Sequence, residues 1–140
     1  MSSVADKKGR YDSSVAEVKM RTIRKIAFGY AALFLGVYSL DYVPGVMDAN
    51  GKMFGLFSMT PLVDAGHLAL GALALICGLI SAKAARFYFW FLGIAYGLDV
   101  VTNAVSHWGK ISPTTNFLVN LPHTLIFISA FIVARKVDRA

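Results

Sequence analysis

Asn116-Phe117-Leu118-Val119-Asn120-Leu121-Pro122-His123 opens an apolar run that continues to Ala134, and its Asn, Asn and His recur at i, i+4 and i+7. On an α-helix that spacing gathers all three polar groups on one face. Lipid satisfies neither an amide nor an imidazole, so the face is expected to look into the protein. Asp64, His67, Asp99, Asn103 and His107, on two other apolar runs, are its candidate partners. A polar cluster inside an apolar bundle is therefore the central expectation.

The rest of the chain agrees with a membrane setting. Of its 140 residues, 56% are hydrophobic and 16% charged. Soluble domains hold about 45–50% apolar and about 25% charged residues. Four runs, Ile26 to Val43, Leu62 to Ala82, Phe87 to Ser106 and Asn116 to Ala134, each approach the ~20 residues that cross a bilayer core of ~30 Å. The predicted fold class is an all-α membrane protein, a four-transmembrane-helix bundle over residues 26–134. A polar basic segment, 1–25, precedes it, and a basic tail, 135–140, follows.

The net charge of +6 is a topology signal. Lys7, Lys8, Arg10, Lys19, Arg21, Arg24 and Lys25 precede the first run, Lys83 and Arg86 separate the second from the third, and Arg135, Lys136 and Arg139 follow the fourth. The other two connections carry only Lys52 and Lys110. By the positive-inside rule both termini and the middle loop are expected in the cytoplasm, with the bundle in the plasma membrane. Attraction to anionic headgroups accounts for the basic excess better than nucleic-acid binding does. Acidic Asp6, Asp12 and Glu17 argue against a mitochondrial transit peptide, and the first run, which lacks a small-residue cleavage site, is expected to stay as a signal anchor.

Local signals place the elements. Ser14-x-x-Glu17 has capping-box spacing, so the N-terminal segment reads either as a short interfacial helix or as a solvated tail. Thr60-Pro61 and Ser112-Pro113 each pair a capping hydroxyl with a first-turn proline. Asp64 and Asn116 then fall near the first turns of the second and fourth runs, where the helix dipole favours an anion. Between Pro44-Gly45 and Thr60, the stretch Met53 to Met59 is too apolar for a free loop, and is expected to dip into the interface or cover the outer mouth of the bundle. Gly66, Gly71, Gly78 and Gly93-x-x-x-Gly97 allow close helix approach, within the chain or between copies in a homo-oligomer.

At ~1.5 Å per residue, His67, Asp99 and His123 fall about 9, 12 and 15 Å below the outer surface. A carboxylate at that depth costs about 2.5–3.5 kcal/mol and calls for a partner. Asp99, Asn103 and His107 recur at i+4 steps along one helix face. Pro122 leaves the Leu118 carbonyl without its i+4 donor beside His123.

Gly55-Leu56-Phe57-x-x-x-Pro61, His67-Leu68-x-x-Gly71, Ala85-Arg86-x-Tyr88, Gly93-x-x-Tyr96 and Asn116-x-x-x-Asn120-x-x-His123 together resemble a family of small bacterial four-span membrane proteins classed as a domain of unknown function. The resemblance covers residues 26 to 134. It implies the four-span fold and a polar motif pairing His67 with His123, and no reaction or cofactor. Val119 stands where the family pattern often has an acid, and Pro122 also departs from it.

Three roles stay open for His67, His123, Asp99, Asp64, Asn103, His107, Asn116 and Asn120. They fasten helices in a structural or accessory component, which sits in the bilayer alone or with another membrane protein. Alternatively His67 and His123 bind haem or a transition metal in an electron-transfer subunit, or Asp99 carries a proton or ion pathway. Neither Gly-x-Ser-x-Gly nor His-Glu-x-x-His occurs, and the single cysteine, Cys77, permits neither an intrachain disulfide nor thiol exchange. The chain is not expected to be an enzyme, and Cys77 reads as a packing residue.

Overall fold

The computed structural model describes residues 4–138. Four helices, α1 (Val4–Leu40), α2 (Pro61–Ile80), α3 (Ala82–Ser106) and α4 (Pro113–Asp138), carry the fold, and two short antiparallel strands, β1 (Lys52–Met53) and β2 (Phe57–Ser58), stand between α1 and α2. All four helices contain a stretch long and apolar enough to cross a membrane: Thr22–Leu40, Pro61–Ile80, Ala82–Ser106 and Pro113–Arg135. Large apolar side chains such as Leu62, Ile80, Phe87, Leu98 and Leu125 point away from the other helices. In water that shell would be unstable; in lipid it is matched.

The helix boundaries follow from caps. The Thr60 hydroxyl accepts the Val63 N–H at 3.3 Å and Pro61 takes the first helical position of α2. The Ser112 hydroxyl accepts the Thr115 N–H at 3.1 Å at the start of α4. Ser81 alone replaces the expected middle loop. Its extended backbone ends α2, its N–H bonds the Cys77 carbonyl, and its hydroxyl caps α3 by accepting from Ala84 at 3.0 Å. Lys83 and Arg86 are thus residues of α3 rather than of a loop. The last carbonyls of α2, Gly78 and Leu79, are taken by the Arg24 guanidinium of α1 at 2.7 and 3.1 Å. That cross-helix cap replaces the intrahelical donors missing at any helix end.

Helix α1 runs unbroken from the polar N-terminal segment into the first span. The backbone is helical through Ser14, so no helix starts there, and the side-chain bonds of the proposed Ser14/Glu17 box lie outside the described residues.

Two antiparallel pairs dominate the packing, α1 with α2 and α3 with α4. Glycines set the distance in both. A Cβ on Gly71 would lie 2.8 Å from Leu35 and one on Gly78 2.8 Å from Phe28, while Gly93 and Gly97 receive Phe131 and Phe127. The Gly93-x-x-x-Gly97 face is therefore occupied by α4 of the same chain. Between the pairs lie Ile23, Ala27, Ala31 and Phe34 of α1, Ala74 and Cys77 of α2, Ala85, Tyr88, Phe89, Leu92 and Tyr96 of α3, and Ala130 and Ala134 of α4, all buried.

The Met53–Met59 stretch forms the hairpin. Gly55 at φ 71° and Phe54 at φ 52° turn the chain back between the strands, and the Asp48 carboxylate accepts the Asn50 and Lys52 N–H groups at 2.8 and 2.9 Å. The hairpin lies over one end of the helices and roofs a cavity there.

Candidate functional site: a roofed cavity with a polar floor

Asp99 of α3 and His123 of α4 meet across the helix pair, with His123 Nδ1 2.5 Å from Asp99 Oδ2. Antiparallel packing of α3 on α4, with Phe131 close against Gly93, brings these positions level. The other carboxylate oxygen, Oδ1, accepts from Asn103 Nδ2 at 3.0 Å. Both oxygens of the intramembrane carboxylate thus have donors, as its depth demands.

The remaining polar side chains mostly bond within their own helices. His67 Nδ1 donates to the Val63 carbonyl at 2.9 Å and His107 Nδ1 to the Asn103 carbonyl at 2.9 Å. Asn120, buried among the helices, donates from Nδ2 to the carbonyl and side-chain oxygens of Asn116 at 2.8 and 2.9 Å. Asn116 in turn donates to the Ala104 carbonyl of α3 at 3.2 Å. Of the predicted cluster around the cavity, the residues bonded from one helix to another are therefore Asp99 with His123, and Asn116.

His67, Asp99, Asn103, His107, Asn120 and His123 line one cavity of about 510 Å³. Its walls are Leu33, Phe34 and Val37 of α1, Val63 of α2, and Val119 and Ile126 of α4, and Lys52 to Met59 close it above, save for Gly55. Phe34 packs against the rings of His67 and Tyr96 at centroid distances of 6.1 and 5.8 Å, and Tyr96 meets His123 edge-on at 4.9 Å. Below this aromatic layer Phe89 and Leu92 are fully buried, together with Tyr88, whose hydroxyl has no hydrogen-bond partner.

Asp64 and Asn116 do not line the cavity. Asp64 is turned to Asp41, the residue after α1, and the two carboxyls share a hydrogen bond that raises the Asp41 pKa to about 6, after the larger effect of removal from water and before the charge of Asp64. The Oδ1 atom of each is buried with no hydrogen-bond partner. This acid pair escaped sequence reading because its members are far apart in the chain; their common position at the hairpin ends of consecutive helices is the signal that links them. The α1 wall likewise carried no polar mark by which to find it. Among the described residues, no three His, Cys, Asp or Glu side chains gather closely enough to hold a metal ion. His67 and His123 share the cavity as separate groups.

These features define the class: a small multi-pass membrane protein of antiparallel helix pairs, with a polar-floored cavity at one end. The chain belongs to the family described as domain of unknown function DUF4383, whose model matches residues 24–113. The match runs from the first span through α3 and takes in His67, Asp99, Asn103 and His107, but stops before Asn116, Asn120 and His123. No curated protein and no solved structure matches the chain.

Proposed function

We propose that this chain is a non-catalytic accessory component of a bacterial inner membrane, a four-span bundle over residues 26–134 with segments 1–25 and 135–140 in the cytoplasm, and that its polar cluster fastens α4 to α3. The contact between Asp99 and His123 carries this reading, because it spends an intramembrane carboxylate on joining two helices. The Asn116 bond to the Ala104 carbonyl supports it at the mouth of the same pair. The Tyr88 hydroxyl, buried beneath Tyr96, has no hydrogen-bond partner, which interrupts a proton path leading on from Asp99 and favours fastening.

Thermal unfolding of the purified full chain tests the reading through a double-mutant cycle. Asp99→Asn and His123→Ala are each expected to lower stability, with a coupling of about 0.6–1.7 kcal/mol, the range found for hydrogen bonds between membrane helices. His67→Ala removes an intrahelical bond and the ring contact with Phe34 but no hydrogen bond between helices, and is expected to show no coupling to Asp99→Asn. Additive effects of Asp99→Asn and His123→Ala would overturn the fastening role.

A further inference from the structure

The geometry points to a second role for the roofed cavity: we infer that it is a binding site for a neutral single-chain amphiphile whose head carries hydroxyl donors, a monoacylglycerol being the simplest chemical example. This goes beyond helix fastening and does not depend on it. The volume of about 510 Å³ lies within the roughly 300–1,000 Å³ typical of ligand sites, and its composition, an apolar wall with a few convergent polar groups, is that of such sites.

The polar floor determines the head group. A backbone carbonyl can only accept, so the Nδ1 atoms of His67 and His107 must donate to Val63 and Asn103. In the neutral ring the remaining nitrogen, Nε2, is then a lone-pair acceptor. The Nδ1 atom of His123 is likewise committed, to the Asp99 carboxylate. The Nδ2 atom of Asn120 is spent on Asn116, which leaves the Asn120 amide oxygen as that side chain's other polar atom. The Nδ2 atom of Asn103 is spent on Asp99. The floor therefore presents acceptors and lacks spare donors, so a ligand must bring the hydrogens.

Charge narrows the class further. An anionic head on the floor would face acceptors, with its possible donors, Lys52 and Ser58, confined to the roof, and a desolvated charge without a partner is costly. A cationic head would find the Asp99 carboxylate already holding Asn103 and His123, and would pass Lys52 in the roof. Hydroxyl groups meet the floor without either cost. Leu33, Phe34, Val37, Phe57, Val119 and Ile126 provide the wall for one acyl chain.

The test uses the full chain in lipid nanodiscs, titrated with monolauroylglycerol, laurate and dodecylamine and read by native mass spectrometry. The expected result is one monolauroylglycerol per chain, bound about tenfold or more tightly than either charged probe. Val119→Trp fills the cavity from α4 and Met59→Trp from the hairpin, and each is expected to weaken that binding by about tenfold or more. His67→Phe keeps the ring and removes its acceptor, with a loss of about fivefold expected. Ile76→Trp, on the lipid-facing side of α2, is expected to bind as the parent does. Laurate or dodecylamine binding as tightly as monolauroylglycerol, no stoichiometric binding by the parent chain, or binding that survives both cavity-filling substitutions would each overturn the inference. The selectivity of the parent chain decides by itself where a variant does not fold.

Discussion

Asp41 illustrates how one residue couples the bundle to its surroundings. It follows the last residue of α1, and its carboxyl faces Asp64 in the first turn of α2. Two carboxylates cannot share a hydrogen bond unless one holds a proton. Removal from water, the bond to Asp64 and the Asp64 charge push the Asp41 pKa from 3.8 up to about 6. The folded chain therefore keeps a proton that the unfolded chain has already lost above about pH 4. The stabilisation is complete below that pH, declines as pH rises through about 6, and is gone above it. The melting temperature of the solubilised protein is thus expected to fall between about pH 4.5 and about pH 7 by more than that of Asp41→Asn, which has no proton to lose. Parallel pH curves for the two proteins would remove Asp41 from the acid pair.

Elements were the most legible scale, for a physical reason. Thr60-Pro61 and Ser112-Pro113 act locally, through a hydroxyl and a ring within one turn, and the helices begin where these residues lie. Apolar length is equally local, and each run forms a helix, although the first leaves the helix after Leu40 and Ser81 breaks the second before Ala82. The first-span helix reaches back to Val4 because no breaker separates the polar segment from the apolar one, whereas the capping-box spacing at Ser14 mimicked a start. Contacts between elements were harder to read. Asn116, Asn120 and His123 do share a face, but the spacing carried no information on which helix lies opposite, and Asp64 lies with Asp41 instead. Small residues announced close packing without naming the partner; the structure supplies it. At Gly71 an added Cβ would meet Leu35 at 2.8 Å and the Leu35 backbone nitrogen at 3.2 Å. Gly71→Ala is therefore expected to cost about 1–3 kcal/mol by overpacking, since backbone cannot swing aside. At Gly97 the nearest atom is Phe127 at 3.6 Å, an ordinary contact. Gly97→Ala is expected to be neutral or to stabilise by up to about 1 kcal/mol through helix propensity. Thermal unfolding of the two variants side by side checks the contrast, and equal effects would mean that α1 does not rest on Gly71.

At the scale of the whole molecule, charge and packing bear on the same question of orientation. The hairpin, the cavity mouth and Asp41 cluster at one end, and Ser81 with the Arg24 cap on α2 marks the other. Lys52 and Lys110 are at the hairpin end, while Arg24, Lys25, Lys83, Arg86 and Arg135 lie toward the Ser81 end. Since lysine and arginine are retained on the cytoplasmic side during insertion, the cavity is expected to open away from the cytoplasm. Single cysteines placed in a Cys77→Ala background read this directly. Asn50→Cys and Lys110→Cys, at exposed positions of the hairpin end, are expected to react with a membrane-impermeant maleimide added outside intact cells stripped of their outer barrier. Lys83→Cys and Arg135→Cys, exposed at the opposite end, are expected to react only after the membrane is permeabilised. The reverse pattern would place the cavity on the cytoplasmic side, where its ligand would have to come from the inner leaflet. Labelling of all four positions in intact cells would mean that the four helices do not cross the bilayer as alternating spans.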